Sequence, residues 1–173
     1  ESLTFIAFIY LDLGEYRQAL NYLFQAKKIY GKIAGQLSTG IAQNFPSFVL
    51  SNIGEAYEKL NMTDSAFYFQ NLALRYPIDY GGHALALGRI GTIQTRLQRY
   101  NEALSNFRQV LTITDRSKDL LNRSSAQYQI AEIFSLQHNP DSAITYARLA
   151  FANAERSSMR TVLLDASSLL TKL

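Results

Sequence analysis

At 173 residues, with 47% apolar and 18% charged side chains, the chain is long enough to bury one core and has a globular rather than disordered balance. Three prolines and nine glycines leave long uninterrupted periodic segments, which weighs against a many-stranded β fold. The formal charge of +3 is mild and scattered, so no nucleic-acid footprint is expected, and the absence of cysteine excludes disulfides and thiolate metal sites.

In chain order, the first expected helix covers residues 2–13 and carries Ile6-Ala7, with Tyr10 three positions on. Gly14-Glu15-Tyr16 reads as a turn, and a second helix over 16–35 carries Ala19, Leu20 and Ala26. The stretch from Ile33 to Gly54 has no charge and the length of a bilayer span. Gln36, Ser38, Thr39, Gln43, Asn44 and Pro46 would be costly in hydrocarbon, so a connection followed by a helix over 47–60 is expected. That helix carries Ile53-Gly54 and Tyr57. Asn61 and Thr63 read as a C-cap and an N-cap leading into 64–76, which holds Ala66, Phe67 and Ala73 and closes near Pro77. Third-pair helices are expected over 82–97 and 100–114, with Ile90-Gly91, Gln94, Ala103, Leu104, Phe107 and Val110. Gly88 and Gly91 share one face there, where close helix packing is expected of both. The fourth pair, 120–137 and 141–155, carries Ile130-Ala131, Phe134, Ala143, Ile144 and Ala150, with Asn139-Pro140-Asp141 as its turn. A last helix is expected over 158–173.

The same offsets therefore occur four times. A small residue (Ala7, Gly54, Gly91, Ala131) is followed twelve positions later by an alanine (Ala19, Ala66, Ala103, Ala143). Small side chains at facing positions let two antiparallel helices approach closely, while larger neighbours fill the grooves. This pattern resembles the tetratricopeptide repeat family over essentially the whole chain, with Ala7, Tyr10, Gly14, Tyr16, Ala19 and Ala26 as the first copy. Tryptophan is absent, and Gln70 and Ala147 stand where the second-helix aromatic survives as Phe107. From Ala19 to Ala66, Ala103 and Ala143 the steps are 47, 37 and 40 residues, against about 34 for the standard unit. Long units with turns such as Thr63-Asp64-Ser65-Ala66 are similar to arrays in bacterial sensor kinases and transcription regulators.

The resemblance implies an all-α fold: a right-handed superhelix, or α-solenoid, of antiparallel helix pairs, with about four repeats plus a C-terminal helix. It implies one domain over 1–173, expected to be a piece of a longer protein and cut inside a fifth repeat. The last helix, with Leu163, Leu164, Leu169, Leu170 and Leu173, is expected to expose an apolar stripe that could mediate self-association.

Little in the chain points to catalysis. His83 and His138 lack partners at ligand or acid–base spacing. Gly81-Gly82 is closed by no lysine–serine element, and Asp115 with Asp119 reads as a solvated helix face. No cofactor or metal is expected, and the chain is expected not to be an enzyme. In such an array the first helix of each pair lines a concave groove. The register puts Thr4, Phe5, Phe8 and Leu11 there from the first copy, and Ser51, Asn52, Glu55, Glu58 and Lys59 from the second. Arg89, Thr92, Thr95 and Arg96 follow from the third, with Tyr128, Gln129, Glu132 and Ser135 from the fourth. Phe5 and Phe8, out of inward register, are candidate peptide anchors or a dimer contact. Glu55 and Glu132 stand where a carboxylate clamp would need asparagine. The expected function is a protein- or peptide-binding scaffold, one version being the sensory region of a signalling protein. The alternative is an enzyme or small-ligand domain with its site in the groove.

Overall fold

A computed structural model describes residues 2–33, 40–75 and 80–173. Among the described residues there are nine α-helices and no strand: α1 Ser2–Asp12, α2 Tyr16–Ile33, α3 Gly40–Lys59, α4 Thr63–Ala73, α5 Tyr80–Arg96, α6 Tyr100–Ser117, α7 Leu120–Leu136, α8 Pro140–Arg156 and α9 Arg160–Lys172. The all-α helical repeat expected from the offsets is the fold observed. Pro77 and the expected helix ends at 35 and 76 lie outside the described residues. The start of α3 differs from expectation, falling at Gly40 rather than residue 47. Pro46 sits in its second turn and forfeits one helical N–H bond without ending the helix. No described helix is long and apolar enough to cross a membrane.

The turn inside each pair is built alike. Gly14, Asn61, Gln98 and His138 adopt left-handed backbone, with φ of 77°, 60°, 59° and 56°. The next N–H then reaches back five residues. Glu15 donates to the Tyr10 carbonyl at 2.8 Å, and Met62, Arg99 and Asn139 donate to Tyr57, Gln94 and Phe134, each at 2.9 Å. These bonds satisfy helix-end carbonyls that would otherwise be orphaned. Asn139 also caps α8, its side-chain oxygen accepting from the Ser142 N–H at 3.2 Å ahead of Pro140. Thr63 does not cap α4 as its residue type suggests; it is the first helical residue, and Met62 precedes it without a side-chain cap bond.

The chain divides into two compact units, Glu1–Ala86 and Leu87–Leu173. In the first, α1 packs on α2, α2 on α3 and α3 on α4, around Leu23, Val49, Leu50 and Ile53 with Ala7, Ala26, Ala73 and Ala86. In the second, α6 packs on α7, and α7 and α8 both pack on α9. Phe107, Ile130 and Ile133 are fully buried there, each burial worth roughly 1.5–3 kcal/mol. The four alanines after the turns are completely buried.

Close approach explains the small residues. A Cβ on Gly54 would lie 2.5 Å from the Gln70 amide nitrogen, and one on Gly91 would lie 2.7 Å from the Phe107 ring. Gly88 differs from the expectation: a Cβ there meets nothing within 4 Å, so it makes no close packing contact. A second correspondence joins the two helices of a pair. Tyr10 stacks on Tyr22 at 5.4 Å, Tyr57 on Phe69 at 5.4 Å and Phe134 on Tyr146 at 5.8 Å. The second-helix aromatic thus stands three positions after the alanine, one before the place where Gln70 and Ala147 replace it.

Candidate partner-binding surface

In the first unit, Phe8 of α1 lies edge-on to Phe48 of α3 at 5.5 Å. Phe5 is 67% exposed; Phe8 is half-buried by its contact with Phe48. Glu55 is half-buried and Glu58 is at the buried limit.

Four expected groove residues of this unit, Thr4, Ser51, Asn52 and Glu58, are buried instead. Ser51 is fully buried and its hydroxyl donates to Gln70 Oε1 at 2.8 Å, while Gln70 Nε2 donates back to the Ser51 carbonyl at 2.9 Å. Asn52 is buried, its Nδ2 donating to the Phe48 carbonyl of the preceding turn at 2.8 Å. Thr4 is buried too, its hydroxyl having no hydrogen-bond partner among the described residues. The physical reason is register. Thr4 and Ser51, each three before the small residue, turn inward, and in α3 the buried Gln70 of α4 draws the serine in.

In the second unit, Arg89 and Thr92 on α5 are half-exposed and Arg96 is exposed. The Thr92 hydroxyl donates to the Gly88 carbonyl at 3.1 Å, a bond within its own helix. On α7, Ala126, Gln127, Ile130, Ala131 and Ile133 are buried, which leaves Tyr128, Gln129 and Glu132 partly exposed beside them. Tyr128 rests against Ala150, Ala154, Val162 and Ala166. Burial, with Glu132 and Asp165 nearby, pushes its hydroxyl up to about 12, so it stays a neutral donor. Burial and the Asp165 carboxylate of α9 also raise Glu132 above the ordinary carboxylate value. One turn of α7 and the facing turn of α9 therefore present two like charges beside a phenol. Asp165 was not among the expected groove residues, because nothing local in α9 marks it; only the packing of α9 on α7 brings it to Glu132. Leu164 of α9 is 66% exposed while Val162 and Ala166 form its buried side. His138 is exposed in its turn and His83 half-buried in α5, and no three metal-ligating side chains converge among the described residues.

Residues 82–156 match the family model of the tetratricopeptide repeat. Among solved structures, BtubC (BKLC) from P. vanneervenii superimposes with a TM-score of 0.73 at 15% identity, covering 98% of this chain and 70% of that one. A putative kinesin light chain from Podosopora anserina, with nearly identical TPR-like repeats, gives 0.63 at 14% identity over 99% and 94%. MamA gives 0.61 at 15% identity over 91% and 79%. No curated protein matches the chain by sequence. The solved structures share the helical-repeat fold of this chain over nine-tenths or more of its length. The class this fold defines is the all-α helical repeat.

Proposed function

We propose that the chain binds a protein or peptide through the solvent-facing sides of its first helices and acts by binding, not turnover. One observation supports this reading above the others. Helix α7 buries Ala126, Ile130, Ala131 and Ile133 yet keeps Tyr128, Gln129 and Glu132 partly exposed beside Asp165. A cationic side chain of a partner would relieve the repulsion between Glu132 and Asp165, and the neutral Tyr128 hydroxyl is free to donate to a peptide carbonyl. Phe5 on α1, with Glu55 on α3, offers a separate contact in the first unit, and Arg89, Thr92 and Arg96 one on α5. Titration of lysine-containing peptides, followed by calorimetry, tests the reading. Binding to the native chain that weakens in Glu132→Gln and Tyr128→Phe is the expected result. Equal affinity in both variants would remove α7 from the site, and turnover of a small substrate would overturn the scaffold reading.

A narrower version makes the chain the sensory region of a bacterial signalling protein. The long steps from Ala19 to Ala66 and Ala103 to Ala143 support it. A kinase or DNA-binding segment in the full-length gene is the expected finding; a stand-alone gene would exclude it.

A further inference from the structure

The second helices of the first unit carry a surface that the proposed function does not use. Phe69 of α4 is the centre of an aromatic group. Its ring stacks on Tyr57 from within, meets Phe24 of α2 edge-on at 5.7 Å and meets Tyr68 edge-on at 5.1 Å. Phe24 is 37% and Tyr68 62% exposed, so two adjacent helices together present two ring faces to solvent. The Lys27 ammonium lies 5.7 Å over the Phe69 ring. Among the described residues no carboxylate pairs with it. Lys28 and Lys32 continue the line of Phe24 along α2 at successive helical turns, and both are exposed.

Charge is segregated between the two helix layers of this unit. Tyr16–Ile33 and Thr63–Arg75 hold Arg17, Lys27, Lys28, Lys32 and Arg75 against Asp64 alone, a balance of 5 − 1 = +4. Helices α1 and α3 hold Asp12, Glu55 and Glu58 against Lys59, a balance of 1 − 3 = −2.

We infer that the face formed by Phe24, Lys27, Lys28, Tyr68 and Phe69 docks an acidic peptide segment of a partner protein, one apolar side chain seated between the rings and flanking carboxylates on the lysines. The charge layering selects this partner. An acidic segment is attracted to α2 and α4 and repelled by α1 and α3, which fixes the face it meets. The rings flanked by Lys27 and Lys28 match one anchor and its neighbours. A nucleic acid would ask for a longer cation row to meet successive phosphates, and a bilayer for a continuous apolar helix face.

Four probes test this by fluorescence anisotropy. They are a synthetic peptide with one phenylalanine and one leucine among aspartates, the same peptide with lysines replacing the aspartates, phosphatidylserine vesicles, and an oligo-dT strand. The acidic peptide alone should bind, should shift the ring resonances of Phe24 and Tyr68, and should lose at least about tenfold in affinity in Lys27→Glu/Lys28→Glu. Tyr68→Ala should weaken it too. These positions are exposed, so unchanged helicity by circular dichroism separates lost binding from lost folding. Glu132→Gln should leave this binding intact, which keeps it distinct from the α7 site. No saturable binding of the acidic peptide, unchanged affinity in the charge-reversed variant, or preference for vesicles or oligo-dT would overturn the inference.

Discussion

Gln94 and Asn106 hold the two positions that carry stacked rings in the other three helix pairs, and Asn106 Nδ2 donates to Gln94 Oε1 at 2.7 Å. Gln94 Nε2 in turn donates to Glu102 at 3.1 Å. The third pair has replaced an aromatic contact with an amide pair of similar reach. Asn106→Ala should cost about 0.5–1.5 kcal/mol for the lost hydrogen bond. Gln94→Tyr/Asn106→Tyr should recover that loss, because a stacked pair contributes about 0.5–1.5 kcal/mol. Urea midpoints of both variants check this, and a double variant less stable than Asn106→Ala would refute the equivalence.

The Ser51–Gln70 pair predicts a larger effect. Ser51→Ala leaves Gln70 Oε1 without the hydroxyl it accepts from in a fully buried site, a loss of roughly 1–3 kcal/mol. Ser51→Ala with Gln70→Leu should be closer to native, since both polar partners then leave together. Denaturation of the single and double variants measures the coupling.

Two glycines on one helix should respond with opposite signs. Gly91→Ala forces the Phe107 ring to move and should destabilise by about 1–3 kcal/mol. Gly88→Ala adds a methyl where nothing lies within 4 Å and should stabilise by about 0.5–1 kcal/mol. Thermal melts of the two variants decide it, and shifts of the same sign would contradict the packing.

Gln98 places a side chain on left-handed backbone, at φ 59°. Gln98→Gly removes that strain and should raise stability by up to about 1 kcal/mol. The same change at Gln137, which lies outside the left-handed region, should lower it.

Glu132 carries a pH dependence whose sign follows from its environment. Burial and Asp165 raise its folded value above 4.5, so the folded chain holds this proton more firmly than the unfolded chain. Its contribution is full below 4.5 and declines as pH rises through the raised folded value. Glu132→Gln should therefore be more stable than native at neutral pH and gain nothing in acid. Melting curves of the two proteins across that range give the difference directly.

The offsets from Ala7 to Ala19 and from Ala131 to Ala143 made the helix pairs legible, because small residues at fixed spacing leave few other folds. Tyr128, Gln129 and Glu132 were legible as partly exposed positions for the same reason. Ser51 and Asn52 were not, since a helical register predicts which face a residue occupies but not how deeply the next helix covers it. The role of Asn106 was hidden as well. Gln94 on its own looks like a missing aromatic, and only the facing helix shows that its partner changed with it. Pro46 misplaced the start of α3 because a proline marks a boundary only when no helical turn precedes it.

The left-handed turns at Gly14, Asn61, Gln98 and His138 bear on how quickly the chain can fold. Each closes its hairpin with a bond between residues five apart in sequence, and the stacked rings or amides lie twelve apart. Most of the ordering of a pair is thus completed before any distant segment is needed. Chains dominated by such short-range closures reach their native state in microseconds to milliseconds. A chain of repeated hairpins has several equivalent starting points, and its assembly proceeds outward from whichever hairpin closes first.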